Sequence, residues 1–129
     1  MSDYTFFEID QYESMSLLTL KESAATWALQ DGELRIELEA FVLARRPRCV
    51  IVSFARLERC PSSLIGGLIG LNRKLKERGC RLQLCEMNSP LRELFHRLSL
   101  NRLFEMHGSL SDAAAACEQW LVEGEQPVR

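Results

Sequence analysis

The sequence lacks any apolar run of about 18 residues, which excludes a membrane-spanning helix. It also lacks an excess of charge of either sign: 16 Lys and Arg stand against 18 Asp and Glu. A net charge of −2 gives no strong field toward nucleic acid or an anionic membrane. No basic groove interleaved with aromatics occurs, so nucleic-acid binding is not expected. Asp3, Glu8 and Asp10 interrupt the N-terminus where a signal peptide would need an apolar stretch. The expected location is therefore the cytoplasm. Cysteines are few and odd in number: Cys49, Cys60, Cys80, Cys85 and Cys117, with no Cys-x-x-Cys pair. Buried reduced thiols are expected ahead of disulfides or zinc. No repeat, linker or low-complexity segment is present.

What is present is enough for one α/β domain over residues 1–129. Its ordered core is expected over about residues 4–123, with 124–129 a flexible tail. Tyr4–Asp10 and Met15–Lys21 have strand composition, and the polar link between them predicts an antiparallel hairpin. "ESAATWALQ" is ambiguous, a loop leading toward a helix. From Gly32 the pattern turns helical, with Leu34, Leu38, Phe41 and Val42 on one face. Leu34, Ile36 and Leu38 also alternate, so a strand is the competing reading there. Pro47 closes the helix. Cys49–Phe54 reads as a buried parallel strand.

The next helix carries Leu64, Leu68, Leu71 and Leu75 on one stripe, widened by Ile65 and Ile69. Cations crowd its last turns and Gly79 ends it. Arg81–Met87 is an alternating strand. Ser89 and Pro90 open a helix that buries Leu91, Leu94, Phe95 and Leu98. "RLFEMH" is a short last strand, and Ser109 with Asp112 caps a final helix lined by Ala113, Ala116, Cys117, Trp120 and Leu121. The predicted order is β-β-α-β-α-β-α-β-α, a mixed sheet with about four helices.

Catalytic equipment is scarce. His96 and His107 fall in no ligand spacing, no carboxylate pair stands out, and Cys80 and Cys85 point to opposite faces of one strand. No catalytic residue, metal or cofactor is expected. Gly66, Gly67 and Gly70 form no phosphate loop, since they lie inside a helix, where each costs about 1 kcal/mol relative to alanine. Close helix–sheet packing explains at least one of them; a bare first turn open to a partner is the alternative. Ser62 reads as an N-cap, worth about 1 kcal/mol. A helix start also suits a phosphate, with Arg56 and Arg59 upstream.

The stretch from Cys49 to Cys117, with "CPSSLIGGL", "RGCRLQLCEM", "NSPLRELF" and "GSLSDAAAA" in that order, resembles the STAS domain of bacterial anti-sigma factor antagonists. Residues 4–46 fit by pattern alone. The resemblance implies a switch loop whose serine is phosphorylated by a partner that is both anti-sigma factor and serine kinase. The phosphoacceptor position falls on Ser62, with Ser63 beside it, and the partner-binding surface on Pro61, Ser62, Ser63, Leu64, Gly66 and Gly67. The family's two aspartates are replaced here by Ser53 and Pro61, which removes negative charge around the serines.

The leading expectation is a non-enzymatic cytoplasmic regulator of bacterial signalling and transcription that binds such a partner. The alternative is a structural STAS subunit that contacts the ATPase of a transport or lipid-trafficking complex without serine chemistry. A small-molecule sensor with a ligand at the strand ends ranks third, and an enzyme last.

Overall fold

The computed structural model describes residues 4–12, 14–26 and 32–124. Five strands form one mixed sheet in chain order: β1 (Phe7–Tyr12), β2 (Met15–Leu20), β3 (Cys49–Ser53), β4 (Arg81–Cys85) and β5 (Glu105–His107). The first two make the expected antiparallel hairpin, pairing Phe7 with Leu20 and Tyr12 with Met15. All later neighbours are parallel. The helices are α1 (Ser23–Thr26), α2 (Glu33–Arg45), α3 (Ser62–Glu77), α4 (Ser89–Arg97) and α5 (Leu110–Gly124). A single 3-10 turn, Leu100–Arg102, precedes β5.

Period-two alternation sorts the strands onto two faces. Leu18, Val50, Val52, Leu82 and Leu84 point to the face covered by α2, α3 and α4, where they join Leu34, Leu38, Phe41, Leu64, Leu68 and Phe95 in the main core. Leu17, Cys49, Ile51 and Cys85 point to the opposite face, where α5 supplies Ala113 and Cys117. Each parallel crossover reverses direction, so the sheet has two poles. Ser53, Cys85 and the opening of α3 share one; Cys49, Arg81 and the end of α3 share the other.

The helical reading of Leu34–Val42 wins over the strand reading, and all four predicted core residues of α2 are buried. Helix α3 ends in a Schellman motif: Gly79, at φ 73, donates to the Lys76 carbonyl and Cys80 to that of Leu75. Ser109 caps α5, its Oγ accepting from the Asp112 N–H at 3.1 Å. At α4 the cap is Asn88, whose side chain accepts from Leu91 at 2.9 Å.

Several expectations are corrected. The first strand runs Phe7–Tyr12 rather than Tyr4–Asp10, and the last shrinks to Glu105–His107 because Leu100–Arg102 coils as a turn. Leu98 is half exposed, since α4 ends before the side chain can turn inward. Two of the five cysteines are not free: Cys49 and Cys117 form a disulfide with a Cα–Cα distance of 6.1 Å. The strand start and the inner face of α5 bring them together across 68 residues of chain. Cys60, Cys80 and Cys85 are free. Residues Trp27–Gln30 of the ambiguous segment and 125–129 of the expected tail lie outside the described residues, and Gly124 still belongs to α5.

Candidate functional site

The candidate site is the opening of α3. Pro61, extended at φ −67 and ψ 160, occupies the N-cap position, and no side chain caps this end. The Leu64 and Ile65 amides turn back onto the Pro61 carbonyl at 3.0 and 3.2 Å. Ser62 is therefore the first helical residue and not the cap, which corrects the capping expectation. Its side chain is exposed, at the positive end of a 16-residue helix dipole. Ser63 differs: its Oγ is buried and has no hydrogen-bond partner among the described residues. The two hydroxyls are chemically alike but only the first is offered to solvent.

The surface proposed from sequence is narrower in the structure. Leu64 is fully buried and belongs to the main core. Gly67 is buried too, because α2 crosses there: a Cβ on Gly67 would stand 3.1 Å from Leu34 Cδ2. That glycine serves helix–helix packing. Gly66 is exposed, with nothing within 4 Å of where a Cβ would lie. Pro61 and Ile65 are half-buried beside it. What faces outward is thus Pro61, Ser62, Ile65 and Gly66.

Upstream, Arg56 pairs with Glu8, 3.2 Å from its guanidinium. Arg59 is exposed and makes no ion pair among the described residues. At the end of β3, Ser53 is buried and donates to Glu86 Oε1 at 2.6 Å while accepting from the Ala55 N–H at 3.2 Å. Glu86 follows β4 with φ 66, a left-handed conformation that turns its carboxylate back onto β3. A carboxylate thus stands at the strand end although Ser53 itself carries none. Sequence reading missed this; the only signal was an acidic residue closing an alternating strand.

The histidines are not gathered into a site. His96 is exposed on α4, and His107 Nε2 lies 2.5 Å from Gln83 Oε1 on the α5 face. Among the described residues no cluster of three His, Cys, Asp or Glu could hold a metal ion, and no helix is long and apolar enough to cross a membrane.

Among solved structures, an anti-sigma factor antagonist from Mycobacterium paratuberculosis superimposes with TM-score 0.69 at 18% identity, covering 87% of this chain and 92% of that one. SpoIIAA of Bacillus in its phosphorylated form gives TM-score 0.62 at 17% identity, over 85% and 96%. A variant of Moorella thermoacetica RsbS gives 0.71 at 12%, over 88% and 97%. At these identities the likeness is one of fold. No curated protein sequence matches the chain. The profile of the family described as "Mlab, STAS domain" matches residues 18–107, well over half the chain and including the whole opening of α3, and the chain belongs to that STAS-domain family.

Proposed function

We propose that this protein is a non-enzymatic regulator that docks a protein partner on the opening turn of α3, through Pro61, Ser62, Ile65 and Gly66. One observation carries the reading: an uncapped helix start whose exposed serine is flanked by a glycine with open space around it. The Ser62 and Ser63 amides of that turn have no intrahelical partner, and the missing side chain at Gly66 lets another surface approach the turn. Ser62 is the candidate phosphoacceptor and Ser63 is not, because reaching the Ser63 hydroxyl requires opening the helix start. A phosphate on Ser62 brings about −1.5 to −2 charges into the contact and opposes docking by repulsion and desolvation. The partner this implies is an anti-sigma factor with serine-kinase activity.

A second reading, contact with a transport ATPase and no serine chemistry, draws on the replacement of both loop aspartates by Ser53 and Pro61. Affinity purification from the native cell with wild type, Ser62→Ala, Ser62→Asp and Gly66→Arg, together with phosphosite mapping, separates the two. The switch reading expects Ser62→Asp to lose a partner that Ser62→Ala retains. Equal recovery by both serine variants leaves the ATPase-type contact. Recovery of the same partner at full strength by Gly66→Arg removes the docking surface altogether.

A further inference from the structure

The pole opposite Ser62 holds two adjoining clefts of about 330 and 390 Å³. Both are bounded by Asn72 and Lys76 of α3 and by Leu103, which follows the 3-10 turn. The first reaches under the lower edge of the sheet to Arg81 of β4 and Trp120 of α5; the second adds Arg73. Asn72 decides what the space is for. It is only 5% exposed, and its carboxamide makes no hydrogen bond among the described residues. A carboxamide brings two donors and an acceptor, and those of Asn72 are not sealed in the core: the one fully buried unpaired polar side-chain atom among the described residues is Ser63 Oγ. Asn72 lines both clefts, so its unused groups face the space.

The remaining walls have two characters. The guanidinium groups of Arg48 and Arg81 stand over the Trp120 ring, 5.9 and 5.8 Å from its centroid. Leu103 is 39% exposed, an apolar side chain left open at the mouth. Lys76 and Arg73 are exposed at the rim and add positive charge. The one acid lining the first cleft, Glu105, is already held by Arg81 and by Gln83 Nε2 at 2.7 Å. In the second, Glu77 is exposed on the last turn of α3. An apolar and aromatic wall, a waiting amide and cations at the rim select for one ligand chemistry.

We propose that these clefts form a binding site for a small organic anion: a phosphate or carboxylate carried on a compact apolar body with a group that hydrogen-bonds the Asn72 amide. The anion meets Lys76 and Arg73, and the body lies against Trp120 and Leu103. The site is remote from Ser62, since α3 rises about 15 Å between Ser62 and Asn72, so it is independent of the partner surface.

The probe is 1-naphthyl phosphate, titrated into the full chain and followed by the side-chain amide signals of Asn72 and the indole N–H of Trp120. Saturable shifts with a Kd below about 1 mM are expected. Lys76→Glu, on an exposed position, weakens binding about tenfold or more. Asn72→Leu weakens it as well without lowering Tm, because the amide bonds no other group among the described residues; a purely structural asparagine would lower Tm. Absence of saturation at about 10 mM overturns the site. So does equal binding of uncharged 1-naphthol, which would remove the anion, or of inorganic phosphate alone, which would remove the apolar body. Unchanged affinity in both variants places the probe elsewhere and overturns it too.

Discussion

The two faces of the sheet are built differently. Helices α2, α3 and α4, with Ala24 of α1, cover one face, and its core contains Phe41, Phe54 and Phe95 with the leucine stripes of α2 and α3. Phe95 alone meets Phe54 edge-on at 5.9 Å and Phe104 at 6.1 Å. A single helix covers the other face, and the fully buried residues it contributes are small, Ala113 and Cys117. Burial scales with apolar area, so the first face is held by surface removed from water. The second has less to bury, and the Cys49–Cys117 bond fixes α5 covalently where apolar area is thin. One fold thus uses two means of attachment, and the sites divide accordingly. The proposed partner surface opens on a helix anchored in the thick core, and the proposed anion site includes Trp120 on the stapled helix.

Leu68→Ala probes the thick face. The side chain is fully buried in the main core, and its truncation is expected to cost about 2–5 kcal/mol in urea unfolding. Cys117→Ser probes the thin face and removes the cross-link across 68 residues; a loss of about 2–4 kcal/mol is expected, and dithiothreitol should reproduce it on the wild type. A loss under about 0.5 kcal/mol for Cys117→Ser would show that α5 holds without its staple and would dissolve the contrast.

Much of the thick face is legible in the sequence, and the thin face much less so. Leu64, Leu68, Leu71 and Leu75 announce α3 by spacing alone, and Leu34 to Val42 announce α2, because a stripe of large apolar residues has one economical burial. The disulfide leaves no such trace: it depends on a strand start and a helix face meeting across 68 residues, which no local period encodes. At the site, a shift of one residue mattered. With Pro61 in the cap position, Ser62 becomes the first helical residue and Ser63 rotates inward, a distinction finer than sequence patterns resolve. Gly67 was readable as close packing, but its neighbour proved to be Leu34 of α2 and not the sheet. Asn72 carries no sequence signal, since a polar residue beside a charged run looks like solvated surface. Glu86 is hidden for another reason, its left-handed backbone.

Neighbouring glycines sharpen the contrast within α3 itself. Gly66→Ala fills open space and should stabilise the helix by up to about 1 kcal/mol. Gly67→Ala gains the same helix term but presses on Leu34 at 3.1 Å, so its gain should be smaller or reversed. Thermal unfolding of both variants checks the order. If Gly66→Ala gains stability and loses partner affinity, the bare position serves contact; if affinity is unchanged, a methyl group is tolerated at the interface.

The smallest effect distinguishes how readily each face opens. Burial pushes Cys60, in the thick core, from 9.0 up to about 12. Cys85, on the α5 face, also reaches about 12, through burial and the nearby Glu86 charge, partly offset by the Ser53 hydrogen bond. A thiol whose folded value is raised keeps its proton, so its contribution is complete below pH 9 and declines as pH rises from 9 toward 12. Neither thiol should react with iodoacetamide at neutral pH before Cys80: burial raises the Cys80 thiol too, but the Arg78 and Arg48 charges offset part of that, and it is half-buried where Cys60 and Cys85 are buried. Labelling of Cys60 and Cys85 then reports opening and not intrinsic reactivity. In Cys117→Ser, labelling of Cys85 should accelerate while that of Cys60 stays near its wild-type rate, because only the α5 face has lost its tether. Equal acceleration of both would mean that the two faces open together, and that the bond stabilises the whole domain by constraining the unfolded chain instead of holding one helix in place.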